Sequence, residues 1–218
     1  MVEKMGKKCR ISECPLFLNG KEVPYSGNTS ADVIWFGESP GVTEEKERKP
    51  FVGDAGVLSK RVCRKAGLPW KSLFIMNSAR CRIDKSNMTD REIGAVLECC
   101  RKKVVRAIRA VRPKCIVACG DFALRQLTRQ KGITKARGKW IWSDEFNCWI
   151  MPTFHPAYIL RNKGLLPVLR QDVKAVVAFI KNGYAPADME DENVRYEEVQ
   201  SIRKILAVSY THLTLPTN

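Results

Sequence analysis

Asp32-Val33-Ile34-Trp35-Phe36 runs directly into Gly37-Glu38-Ser39-Pro40-Gly41, and the reading of this junction decides the fold. The first half is apolar and β-prone, as in a buried strand, and the Gly/Pro punctuation of the second half ends it in a tight loop. Working outward, Val57 to Ala66 predicts a helix closed by Gly67, and Leu73 to Met76 a second strand ending at Asn77. Thr89-x-x-Glu92 forms a capping box at the head of a long helix whose apolar positions continue to Val111, before Pro113. Cys115 to Ala118 is a third strand, Gly120 to Thr128 a helix, Cys148 to Met151 a fourth strand, and Gln171 to Lys181 a late helix with Gly183 just past its end. Strands alternating with helices predict a three-layer α/β/α sandwich around a central, mainly parallel four-stranded sheet. Such sheets bind ligands at the carboxyl ends of their strands. The residues that follow the strands are Gly37-Glu38, Asn77, Gly120 and, after Pro152-Thr153, His155. The expected cleft therefore collects a carboxylate, an amide and an imidazole.

With 218 residues the chain has room for one α/β domain and a tail, which we divide as 1–185, a polar linker-like stretch over 186–207, and 208–218. The last stretch (VSYTHLTLPTN) matches nothing before it in pattern and resembles a translated sequencing adaptor, so it is expected to be non-native and the true protein longer. Lys and Arg total 38 against 23 Asp and Glu, a net charge of +15 spread along the chain, which points to a polyanionic partner or to a basic but inert surface. Nine cysteines are an odd number, and the charged start Met1 to Lys8 is followed by no apolar signal region. A reducing compartment, the cytoplasm, is therefore expected, with metal ligation competing against plain burial. No run of about 18 apolar residues is present, so no membrane partner is expected.

Two glycines and a proline around Glu38 let backbone approach a ligand and hold the carboxylate in place. From the residues alone, Glu38 either orients a water or is an ordinary solvated side chain on a turn. Phe51, between Pro50 and Gly53, is either a stacking platform for a planar ligand or a core aromatic. His155 is either a satisfied histidine beside a helix start or a functional imidazole; outside the suspect tail, which contains His212, it is the sole histidine.

Taken together, these blocks resemble the family 4 uracil-DNA glycosylases, the iron–sulfur branch of that superfamily. The resemblance is carried by Gly37-Glu38-Ser39-Pro40-Gly41 with Glu44, and by Pro50-Phe51-Val52-Gly53 with Ala55-Gly56. It continues through Phe74 to Asn77 with Arg80-Cys81-Arg82, then Arg112-Pro113-Lys114 to Ala123, and Arg137-Gly138. It closes on Pro152-Thr153-Phe154-His155-Pro156-Ala157-Tyr158-Ile159-Leu160-Arg161, and covers roughly Cys9 to Ile180. The resemblance implies hydrolysis of the bond between uracil and deoxyribose in DNA, by a monomer acting on single- or double-stranded substrate. In that reading Glu38 and His155 are catalytic, the first positioning water and the second donating to uracil O2. Gly37, Glu44, Phe51 and Asn77 form the uracil pocket, Phe51 stacking on the flipped base, Asn77 reading O4 and N3, and Glu44 ordering the loop. Tyr158, Leu160 and Arg161 are expected to contact DNA, an apolar side chain of the stretch Tyr158-Ile159-Leu160 filling the vacated base stack while Arg161 grips phosphate, and Lys60, Arg61, Arg64, Arg80 and Arg82 are further candidates for phosphate contact.

The resemblance also implies a [4Fe–4S] cluster held by Cys9, Cys14, Cys81 and Cys100, although four thiolates suit zinc as well. Cys100 is preferred to its neighbour Cys99 because it fits the family's helix register before Pro113. Cys63, Cys115, Cys119 and Cys148 read as small core residues. The chain departs from the family in three places. Four residues separate Cys9 from Cys14 where two are common, Ile83-Asp84-Lys85-Ser86 replaces a proline-rich segment before Asn87, and Ser39 stands where alanine is common. No lysine lies in the aligned pocket motifs, so the expected enzyme leaves an abasic site without forming a Schiff base. Two rivals remain from the sequence: an inactive glycosylase-like DNA-binding module, and a zinc-bound nucleic-acid-binding protein.

Overall fold

Residues 12–17 and 20–185 are described in the computed structural model. The four expected strands form the parallel centre of the sheet: β2 (Val33–Gly37), β3 (Phe74–Asn77), β4 (Cys115–Cys119) and β6 (Cys148–Thr153). The sheet itself is six-stranded, in the order β1-β3-β2-β4-β6-β5, because a short antiparallel strand closes each edge. These are β1 (Ser26–Gly27) and β5 (Ile141–Ser143), too short to register as an alternating pattern. Trp142 on β5 stands opposite Trp149 on β6, and their rings meet edge to face at 5.2 Å, a cross-strand aromatic pair that holds this edge.

Continuous apolar runs on β2 and β4 bury both faces, as a parallel sheet requires. On one face Ile34, Phe36, Met76, Ile116, Ala118 and Ile150 pack beneath Val104, Ile108 and Val111 of α3 (Asp90–Val111) and Ala123 and Leu127 of α4 (Asp121–Thr128). On the other, Cys119 lies near Cys63 of α2 (Asp54–Ala66) and near Asp172 of α7 (Leu166–Lys181), which makes the third layer. The Thr89 capping box forms as expected: Thr89 Oγ1 accepts from Glu92 N at 3.3 Å, and Glu92 Oε2 accepts from Thr89 N at 2.8 Å. Helix α2 starts at Asp54 and α7 at Leu166, earlier than expected, because Gly56 in the first turn of α2 and Pro167 in that of α7 read as loop. Three short helices, α1 (Val42–Glu47), α5 (Ile133–Ala136) and α6 (Pro156–Arg161), have too few turns to show a period.

The first of two compact units runs to Val177 and contains the whole sheet. Of the second, residues 178–185 are described: the end of α7 and its cap, where Tyr184 N donates to Phe179 O at 2.8 Å after Gly183 at φ 66°. The expected tail segments 186–207 and 208–218 lie outside the described residues, as does Cys9. Among the described residues, no helix is long and apolar enough to cross a membrane.

Candidate active site

Three parallel strands deliver Glu38, Asn77 and His155 to one end of the sheet, where Glu38, Glu44, Phe51, Asn77, His155, Tyr158 and Arg161 line a cavity of about 540 Å³. Gly37 does not line the cavity but sits behind Asn77 and Phe51, which do. A Cβ there would collide with Asn77 Oδ1 and stand 2.6 Å from Phe51 Cζ, so the absent side chain is what lets the amide and the ring share the space. Gly120, at φ 93°, does the same on the opposite wall: a Cβ would collide with Glu38 and reach 3.0 Å from His155 Cβ.

The loops around the cavity are tied by Glu44, which is 8% exposed. Its Oε2 accepts from Gly41 N at 3.1 Å and its Oε1 from Gly53 N at 2.8 Å, so one carboxylate joins both glycine turns and caps α1. Between those turns Phe51 adopts a left-handed backbone, φ 55°, which costs strain in a bulky residue. Gly56 makes the conformation possible, since any Cβ on it would overlap the Phe51 carbonyl. The Phe51 ring is buried at 4% exposure and packs 6.5 Å from Trp35 and 6.0 Å from Trp70. It stands 6.4 Å from the His155 ring, at a 33° tilt.

His155 is the N-cap of α6, with Pro156 in the first helical position. Its Nδ1 accepts from Ala157 N at 3.2 Å, which fixes the neutral tautomer that carries the proton on Nε2. Burial pushes the His155 pKa down; Glu38 opposes that shift, while Lys85 and Arg161 add to it. The imidazole is thus poised as a neutral hydrogen-bond donor. Asn77 is 4% exposed, and among the described residues no group hydrogen-bonds its amide, which keeps a donor and an acceptor facing the cavity. Glu38 Oε1 accepts from Phe122 N at 3.4 Å, and its Oε2 accepts from Lys85 Nζ at 2.7 Å.

Lys85 is the pocket residue that sequence reasoning missed. It belongs to the segment that departs from the family, outside every aligned motif, and no periodicity marks it. Asp121, Ile133 and Thr134 also line the cavity, the last two from the short α5. Leu160 does not line it; it is a 38% exposed side chain one position from Arg161, on the same short helix as the pocket residue Tyr158. Arg80 is turned inward, paired with Glu22 at 3.4 Å and stacked 5.2 Å above Tyr25, which removes it from the candidates for phosphate contact. Arg82 pairs with Glu45 at 3.5 Å.

The expected thiols lie beside this region. Cys14 and Cys100 are buried in one apolar cluster with Ala79, Ile83, Ile93, Val96 and Leu97, and Cys99 is partly buried at its edge. Cys81 is buried too, and a Cβ on Gly20 would come within 2.8 Å of its Sγ, which places Cys81 against the segment that follows Cys14. Among the described residues, no group of three side chains is arranged to hold a metal. Cys14, Cys81 and Cys100, three buried cysteines from three segments, are nevertheless the donor type that a soft-metal cluster takes. The other four thiols are core: Cys63, Cys115, Cys119 and Cys148 are buried, and burial pushes Cys63 and Cys148 up to about 12 and the other two well above the usual thiol value. Thiols so suppressed are chemically inert.

Comparison with known proteins agrees with this geometry. The family profile described as "Uracil DNA glycosylase superfamily" matches residues 24–179. The type-4 uracil-DNA glycosylase of Thermotoga maritima is 33% identical over 189 residues, covering 83% of this chain and 94% of its own length. That of Saccharolobus solfataricus is 34% identical over 179 residues, 78% of this chain and 81% of its own. That of Sulfurisphaera tokodaii is 33% identical over 178 residues, 78% of each. A parallel sheet that carries a carboxylate, an amide and a neutral imidazole to one cavity, together with matches that span most of the sequence, establishes that this chain belongs to the type-4 branch of the uracil-DNA glycosylase superfamily.

Proposed function

We propose that this protein hydrolyses the N-glycosidic bond of uracil in DNA and leaves an abasic site, the first step of base excision repair. The observation that carries the reading is the convergence of an unpartnered Asn77 amide and a neutral His155 donor on one cavity beside the Phe51 ring. A flipped uracil packs against Phe51. Asn77 donates to O4 and accepts from N3–H, a pattern that cytosine reverses, and a buried mismatch of that kind discriminates strongly. The C1′–N1 bond breaks with its electron pair moving to the base, and negative charge gathers on O2, where His155 Nε2–H donates. Glu38 accepts a hydrogen bond from the water that forms the new C1′–O bond at the oxocarbenium-like sugar, and takes the proton which that water loses. Lys85 Nζ is tied to Glu38 Oε2 at 2.7 Å and is thereby withheld from attack on the sugar. The reaction therefore ends at the abasic site.

Flipping costs a few kcal/mol, offset by contacts at the cavity mouth. Tyr158, Arg161 and the exposed Leu160 supply these from α6, and the net charge of +15 favours DNA generally. Cys9, Cys14, Cys81 and Cys100 hold a [4Fe–4S] cluster, supported by the shared burial of Cys14 and Cys100 and the approach of Cys81 to Gly20. When bound, that group cross-links the N-terminal segment to α3 and supplies no electron to the hydrolysis. The enzyme acts as a monomer in the reducing cytoplasm, a setting that suits its many buried thiols. The test is incubation with a uracil-containing oligonucleotide followed by alkali, against a thymine control. Strand cleavage at uracil that is lost in His155→Ala supports the assignment; no cleavage by the wild-type protein, or undiminished cleavage by the variant, contradicts it.

A further inference from the structure

Resting on that reading of the pocket, we propose that Lys85 is a positioning residue: it pins Glu38 through Oε2 and offsets the carboxylate's charge toward His155. Three features of the loop before α3 support this. First, the loop is locked. Asp84 Oδ1 accepts from Ser86 N at 3.2 Å and from Ser86 Oγ at 2.6 Å, Asp84 Oδ2 accepts from Asn87 Nδ2 at 3.0 Å, and Asn87 N donates to Asp84 O at 3.1 Å. These bonds, led by the Ser86 hydroxyl, hold the Asp84 carboxyl below its usual range, so the turn is tied by a charged acceptor. Buried Ile83 anchors its start.

Second, the ammonium is fixed from two sides. Nζ lies 2.7 Å from Glu38 Oε2 and 4.4 Å from the centre of the Phe122 ring, a cation–π contact. With Oε1 accepting from Phe122 N at 3.4 Å and Oε2 from Lys85, each oxygen of Glu38 has its own restraint. A carboxylate that must aim water at one carbon gains directly from losing its rotation.

Third, the charges are balanced around the imidazole. Glu38 and Glu44 favour the imidazolium, whereas Lys85 and Arg161 oppose it. Asp121, at the start of α4, lines the same cavity, and the Cys119 thiol lies behind Glu38 on β4. Removing Lys85 leaves the Glu38 carboxylate, the larger of the two anionic influences on His155, uncompensated, and the ring then takes a proton more readily.

The experiment measures excision from a single-stranded uracil oligonucleotide by wild type, Lys85→Met and Lys85→Arg across pH, under single and multiple turnover. In Lys85→Met we expect kcat to fall about tenfold and the acid limb of the profile to move up by roughly half a pH unit or more, with KM little changed. Lys85→Arg, which keeps the charge, restores the limb. If Lys85 instead grips phosphate, Lys85→Met raises KM, leaves kcat and the acid limb in place, and lowers the salt dependence by about one ion, and the proposal is overturned. A wild type that excises uracil beside an unshifted Lys85→Met profile sinks this inference alone, whereas a wild type without excision sinks the functional reading beneath it.

Discussion

Glu38 and His155 follow parallel strands and Asn77 ends one, whereas Cys14 and Cys81 sit in loops and Cys100 in the middle of α3. The first set is aimed by backbone: Gly37 and Gly120 make room, and main-chain N–H groups hold Glu44, Glu38 and His155. Of the second set, Cys14 and Cys100 are gathered by apolar packing around Ile93, Val96 and Leu97. A site aimed by backbone survives deletion of one of its side chains, while a site gathered by packing is part of the core. Variants in the pocket should therefore lose chemistry before stability, and variants among the thiols should lose stability before chemistry.

The largest effect should come from His155→Ala. Loss of the donor at O2 lowers the single-turnover excision rate about 10³-fold, while the lost helix cap costs only about 1 kcal/mol in a melt. Gly37→Ala comes next. The new Cβ displaces Asn77 or Phe51, and kcat/KM for uracil falls about 10²-fold with the fold retained in circular dichroism. Among the thiols the order reverses. Cys100→Ser, which buries a hydroxyl in an apolar cluster, costs about 1–3 kcal/mol and lowers bound iron, whereas Cys99→Ser at the cluster edge stays within about 0.5 kcal/mol and keeps its iron. Equal losses from both variants would erase the distinction between the two regions.

The smallest effect is in pH. Burial lowers the His155 pKa, so the neutral donor persists below the ordinary histidine value of about 6.5. Excision stays level as pH falls to that point and declines only below it. Stability follows the same sign: the unfolded chain takes up the proton first, so the His155 contribution is present above about pH 6.5 and is lost as pH falls toward the lower folded value. An acid limb centred above 6.5 would contradict this environment.

The difference between the two regions also explains how much could be read in advance. Strand-end residues are legible because a parallel sheet brings successive carboxyl ends together, so Glu38, Asn77 and His155 follow once DVIWF, FIMN and CWIMPT are recognised as strands. The roles of Gly37 and Gly120 need coordinates, since they depend on which side chains approach a missing Cβ. Lys85 was invisible because its loop has neither period nor motif; its placement comes from Asp84 closing a local turn. The edge strands β1 and β5 and the short helices α1, α5 and α6 escaped because periodicity needs more residues than they contain. Cys100 is buried and Cys99 only partly so, as adjacent positions that face different directions on a helix should be.

The most direct measurement is a crystal structure of the protein with free uracil. Our account predicts the base against Phe51, with O2 within hydrogen-bond distance of His155 Nε2 and with O4 and N3 on the Asn77 amide. Uracil bound elsewhere, or bound in this cavity with His155 turned away from O2, would contradict it.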